Sequence, residues 1–358
     1  MARSHLTLAA LATSAVAGLE VSGARSFSQG GAAEYDSALL TGRDGQTYII
    51  RVPTSQAAET EQSADLVALR ALTTGIRSRL PFDVPTYRGQ TPIGGTRALV
   101  YDFLPGRHIE VDDVPPGDGL AGSIGHAIAA IHTLPTNFVG EAGLPVLSAS
   151  ESHTATTSLI EQAAATGLLP SALRDRWRDA SADNSLWQFQ PTVINGALIA
   201  DSFLVEEDSV TAVLGWSALR VGDPARDLHW LLAMNPDATD GALGAYASTR
   251  QVATDRQFTQ RAMLYAELEV ARWLLHGREA RNQSIVDDAV SMLDGLVDRV
   301  HTNSATPLAN ATGPIMAIGD VEAMLDRTPG DRNSDDYGHA GGMKPVVEDQ
   351  SVRNSSSE

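Results

Sequence analysis

Hydrophobic positions along this chain change their period near residue 120. Before that point they fall in short runs of strand length, at 19–24, 37–41, 47–52, 82–85 and 97–106. Gly42-Arg43-Asp44-Gly45 between the second and third runs is hairpin-turn chemistry. A helix opening at Asp65 follows the third. From 120 onward the apolar spacing is helical. Ile124, Ile128 and Ile131 share one face of 120–134, and further helices are expected at 156–165, 171–179, 243–253 and 255–277. In the last of these Phe258, Ala262, Tyr265, Leu268 and Leu275 keep helical spacing, with Gly277 as the stop. Ser284 and Asp287 open one more helix, whose apolar face runs from Val286 to Val300.

Short strands at 192–194, 203–205 and 210–214 break this helical region. A helix start is marked at Asp223-Pro224: the carboxylate can accept first-turn N–H groups, Pro fits the first helical position, and Leu228, Trp230 and Leu231 follow. Trp230 and Trp273 are expected as core anchors, and His126 and His132 as packing or helix-end residues. At the amino end, 7–17 is expected to form an amphipathic helix leading through Gly18 into the first strand. A secretory signal is the alternative, but the stretch is rich in alanine where such a signal is richer in leucine. The fold class is therefore α+β: a strand-rich lobe at 1–105, a helical lobe at 106–302, and an acidic, mostly disordered tail at 303–358.

Composition narrows the partners. The formal net charge of −18 argues against nucleic acid and anionic membrane surfaces, which need clustered basic residues. No apolar run reaches the roughly 20 residues of a membrane helix, so no span is expected, and the want of other export features agrees with a cytoplasmic location. There is no cysteine, hence no disulfide, thiolate nucleophile or cysteine zinc site. The only lysine is Lys344, so phosphate contacts in the folded part would have to come from arginine or backbone N–H groups. A serine hydrolase is rejected for want of a G-x-S-x-G elbow.

The stretch from Thr192 to Trp230 resembles the catalytic and metal-binding segment of the aminoglycoside and macrolide phosphotransferases, small-molecule kinases with the protein-kinase fold. Gly196, Leu198, Leu204, Val205, Trp216 and the run Gly222-Asp223-Pro224-Ala225-Arg226-Asp227-Leu228 match that family's pattern. The chemical positions depart from it. Asn195 stands where the family has His, Ala197 where it has the catalytic Asp, Ser202 where it has a metal-holding Asn, and Gly215 where it has the metal-holding Asp. Ala197 cannot orient a hydroxyl and Gly215 cannot hold an ion, and kinase chemistry rests on those two tasks.

The resemblance implies a bilobal kinase-like fold, with Asp227 bracing the catalytic loop and Asp223 kept beside it. It puts Gly30 and Gly31 in a nucleotide-covering loop, Arg51 in the slot of the strand lysine, Asp65 in that of its acidic partner, and Tyr101, Phe103 and Leu204 around the base, with a hinge at 101–106. ATP or another nucleotide is the implied cofactor, while the altered positions argue against magnesium. The leading expectation is a pseudoenzyme binding a nucleotide, a small molecule or a protein partner. The alternatives are an active phosphotransferase of a small hydroxylated compound, using Asp201 as a displaced carboxylate, and a non-catalytic interaction scaffold.

Overall fold

The computed structural model describes residues 3–27, 34–251, 257–302 and 308 of the 358. Gly30 and Gly31, and the expected tail apart from Leu308, lie outside the described residues. The first helix, α1 (His5–Ala15), starts where the Ser4 side chain accepts the Thr7 N–H. It lies on one face of an antiparallel sheet of β1 (Val21–Ser26), β2 (Tyr35–Gly42), β3 (Thr47–Pro53), β4 (Tyr87–Ile93) and β5 (Thr96–Asp102), in the order β1-β2-β3-β5-β4. Leu8 and Ala12 of the helix pack on Leu40, Ile50 and Val100, the inward residues of the three central strands. The β2–β3 turn is closed by Asp44, which accepts the Gln46 N–H and the Tyr48 hydroxyl, and Gly45 supplies φ +81°.

The other face of the sheet carries α2 (Gln56–Ala71), capped by Ser55, and a short turn α3 (Thr74–Arg77). The sequence reading found only the second half of α2, because its polar first turns lack apolar spacing. It also set a strand at 82–85, where the structure has a single bridge, Asp83 to Ala212. The fifth strand of the sheet is instead β4, whose sequence YRGQTPI carries both Gly and Pro. Such a strand survives at the edge of a sheet, where one side of its backbone needs no partner.

Beyond β5 a short strand β6 (Arg107–His108) begins the second lobe, followed by α4 (Gly119–His132), α5 (Asn137–Glu141), α6 (Ala149–Ala165) and α7 (Ser171–Ala182). A reciprocal Ser148–Glu151 capping box starts α6 about two turns before the apolar spacing shows. Four strands follow: β7 (Thr192–Ile194), β8 (Phe203–Glu206), β9 (Ser209–Val213) and β10 (Arg220–Gly222). β7 pairs with β10, and β8 lies between β6 and β9. Helices α8 (Pro236–Arg250), α9 (Phe258–Glu279) and α10 (Gln283–Thr302) complete the lobe. Gly125 is required where α4 meets α8, since a Cβ there would run into the Ala242 carbonyl.

Two sequence expectations are corrected here. The helix opening at Pro224 is two 3₁₀ turns, Pro224–Asp227 and His229–Ala233: Asp223 caps the first through the Ala225 N–H, and the backbone N–H groups of Arg226, Leu228 and Leu231 close on the carbonyls three residues back. Trp273 is not a core anchor: it is 38% exposed on α9 and donates its Nε1–H to Asp288. Trp230 is buried. Among the described residues no helix is long and apolar enough to cross a membrane.

Candidate functional site

Two loops meet beneath the sheet, and their backbones are held by buried carboxylates. Asp227 accepts the N–H groups of Asn195 and Gly196, both at 2.7 Å. Its Oδ2 also lies 3.2 Å from His132 Nε2, while His132 Nδ1 lies 2.9 Å from the Tyr246 hydroxyl. With Asp227 as acceptor, Nε2 carries the imidazole proton and Nδ1 accepts from tyrosine. Burial holds this imidazole below its ordinary pKa, opposed by the bond to Asp227. His126 lies apart, on the face of α4 toward Asp237 and Asp240.

Asn195 is fully buried. Its Nδ2 donates to the Gly215 carbonyl at 2.9 Å and its Oδ1 accepts the Ala197 N–H at 3.2 Å, so one amide ties the first loop to the second. Asp223 accepts the Ala225 N–H and, on its other oxygen, Arg261 Nε at 2.7 Å and the Tyr265 hydroxyl at 3.1 Å. Burial raises the Asp223 carboxyl and Arg261 opposes this. The pair is enclosed on both sides, with Arg261 also over the Phe189 ring at 4.6 Å.

Between the lobes lies a cleft of about 330 Å³. The structure brings Arg51, Asp65, Tyr101, Phe103, Ala197, Asp201, Ser202, Leu204 and Gly215 to its wall, from five separate stretches of chain. Arg51 and Asp65 share the cleft, yet no ion pair joins them among those of the described residues. The Arg51 guanidinium lies 3.9 Å over the Tyr35 ring, and Asp65 Oδ1 accepts the Trp216 N–H at 2.7 Å. The enclosed position of the Asp65 carboxyl raises it to about 6, against the pull of that N–H and of Arg51. Asp201 is held from both ends: His108 Nδ1 is 2.9 Å from its Oδ1 and 2.9 Å from its carbonyl oxygen. Ser202 Oγ accepts the Ile199 N–H. Gly215 has φ +69°, with no atom within 4 Å of where a Cβ would stand.

Sequence reasoning missed Glu34, Tyr35, Glu61 and His108, which also line this cleft. Burial, with Glu61 adding to it, pushes the Tyr35 phenol up to about 12, and Glu61 is itself raised by burial and by Glu34. Tyr35 and Glu34 directly follow the expected glycine loop, a signal that was available. His108 had none, since only the pairing of β6 with β8 brings it beside Asp201.

Ala197 and Ile199 also face a second, larger cavity of about 890 Å³ in the helical lobe, lined by Arg226, His229, Trp230 and the facing sides of α9 and α10. Arg226 had been read only as part of the matching run, with no task of its own.

Residues 27–276 match the sequence profile of the phosphotransferase enzyme family. Uncharacterized protein YcbJ of Bacillus subtilis (strain 168) is 25% identical over 193 residues, which are 51% of this chain and 61% of that protein, so the chain spans less than two thirds of this curated relative. Among solved structures, the apoenzyme of macrolide 2′-phosphotransferase MphH from Brachybacterium faecium matches at TM-score 0.68 and 22% identity, over 81% of this chain and 98% of that one. The GDP complex of aminoglycoside 2′-phosphotransferase-IIIa matches at 0.66 and 19%, over 82% and 98%. At these identities the likeness is one of fold: a kinase-like aminoglycoside phosphotransferase fold with an antiparallel N-lobe and a helical second lobe.

Proposed function

The chain belongs to the phosphotransferase enzyme family, and we propose that it binds a nucleotide or nucleoside between its lobes without efficient phosphoryl transfer. One observation carries this reading. At the point where the cleft meets the helical-lobe cavity, the side chains beside both are those of Ala197 and Ile199, neither of which can accept a proton from an attacking hydroxyl.

The residues at the family's metal positions do not fit magnesium. Gly215 offers no side chain, Ser202 Oγ is engaged by the Ile199 N–H, and the nearby Asp201 carboxylate is held by His108. No step is therefore routed through a metal. The nucleoside end of the cleft fits better. Ile49, Tyr101, Leu104, Leu204 and Leu214 give apolar walls for a base. The Phe103 N–H is taken by the Thr47 carbonyl, while the Leu104 N–H has no partner among the described residues and is free to meet a ring nitrogen. Among the described residues Arg51 is the one arginine on the cleft wall for a phosphate, facing Glu34, Glu61 and Asp65. GDP is bound by the aminoglycoside enzyme of the same fold, which supports a nucleotide here.

Calorimetric titration with ATP and with adenosine, each with magnesium and with chelator, tests the reading. Equal ATP affinity in both conditions is the expected result. Magnesium-dependent turnover abolished by Asp201→Ala would overturn it, in favour of a transferase with a displaced carboxylate. Binding of neither compound would remove the nucleotide and leave the interaction scaffold.

A further inference from the structure

The second cavity is chemically lopsided. Leu198, Trp230, Met263, Val270, Leu296 and Val300 give it a broad apolar wall, and its volume of about 890 Å³ suits a small organic molecule. Its two carboxylates are already answered. Glu267 takes Arg176 Nη2 at 2.9 Å and the Trp177 Nε1–H at 2.7 Å, and Glu269 is paired with Arg272.

The groups left over are all donors. Arg226 gives its Nε–H to the Gly196 carbonyl at 2.9 Å and forms no ion pair among those of the described residues. Arg299, exposed on α10, likewise faces no carboxylate within ion-pair distance among them. Trp230 is 6% exposed and lends its ring to the wall, while its Nε1–H is enclosed by protein and is not presented to the cavity. The surroundings agree. Burial and then Arg226 lower Arg272 to about 10, and the same two causes lower Arg220, so positive charge is crowded here. His229, lining the same wall, is lowered chiefly by burial.

We infer that this cavity binds an amphiphile with an apolar body and a single anionic head, the head held by Arg226 and Arg299 and the body against α9 and α10. Polycationic compounds are excluded by the same charges. The inference stands apart from nucleotide binding in the cleft, so the test is made without nucleotide and the two can fail separately.

The full chain is titrated calorimetrically with dodecanoate and with dodecylamine, both below their micelle concentrations, which keeps the apolar body constant and reverses the head. Dodecanoate is expected to bind at least about tenfold more tightly. Arg226→Gln is expected to remove most of that preference. Arg299→Gln, at an exposed position that leaves folding intact, is expected to reduce dodecanoate affinity about threefold. Equal or tighter binding of the amine overturns the inference. So does dodecanoate binding that neither arginine substitution changes, or the absence of binding by either compound.

Discussion

Asp227 and Ala197 are two residues of one loop system, and they have opposite surroundings. Asp227 is fully enclosed, with each oxygen on a backbone N–H and His132 behind it. Ala197 is exposed between cleft and cavity, with no group to hold. Asp223 and Gly215 repeat the contrast: an enclosed ion pair with Arg261 against an open glycine. The scaffold residues are bound to the protein, and the positions facing ligand are bare. Removing a scaffold carboxylate orphans several buried donors, whereas an open position can change with little effect on the fold. On the proposed reading, this is how a phosphotransferase fold outlasts the groups that would make it catalytic.

The most severe way to break this contrast is Asp227→Ala. It would leave the N–H groups of Asn195 and Gly196 and one nitrogen of His132 without acceptors, in a site that water does not reach. A loss of about 3–5 kcal/mol is expected. Chemical denaturation read by tryptophan fluorescence measures it directly, since Trp216 sits on the loop that Asn195 ties to the first. A loss below 1 kcal/mol would mean the loop is held by its chain connections alone, and the division between scaffold and chemistry would collapse.

The scaffold was also the legible half of the sequence. Asp223-Pro224 carries its own turn chemistry, the strands at 37–41 and 47–52 show their period, and the α10 stripe is visible from Val286 onward. What could not be read depends on parts meeting. The polar strand β4 is set by the edge it occupies, not by its own pattern. His108 reaches Asp201 across 93 residues, and Trp216 gives its N–H to Asp65 across 151. The anion-suited cavity collects Arg226, Trp230, Leu296 and Arg299 from three elements, and no local spacing announces such a set. The slots given to Asn195, Ala197, Ser202 and Gly215, by contrast, rest only on the matching residues around them.

Asp65 sharpens the comparison at intermediate scale, because it is a scaffold contact that still faces ligand space. Its carboxyl is raised to about 6 from an ordinary value near 4, so the folded protein holds this proton more tightly than the unfolded chain does. Stability from this group therefore falls as pH rises from about 4 to 6 and is flat above that. Asp65→Asn keeps an oxygen to accept the Trp216 N–H and removes the charge. Stabilisation of about 2 kcal/mol at pH 8 is expected, shrinking toward zero at pH 4, and thermal unfolding across that range reads it. A constant difference at all pH values would show that the amide merely packs better, with no titration involved.

The smallest expected effect bears on the open positions themselves. Ser202→Asn puts an amide oxygen at one of the two metal slots, and Gly215→Asp places a carboxylate at the other, where no atom stands within 4 Å. The latter must adopt φ near +69°, which Asp visits more readily than most residues, at a cost of about 1 kcal/mol. If Asp223, Asp227 and Asn195 still hold the two loops in working register, the double variant gains a magnesium dependence of ATP affinity that the parent lacks. The gain would be on the order of tenfold, or about 1.4 kcal/mol, and measurable by titration with and without chelator. Thermal stability should move little. Each single variant should show less than half of the gain, since a lone carboxylate or a lone amide is a poor magnesium site. A stable double variant with no magnesium response would place the loss deeper than two side chains, in the His108–Asp201 contact that closes the other wall of the site.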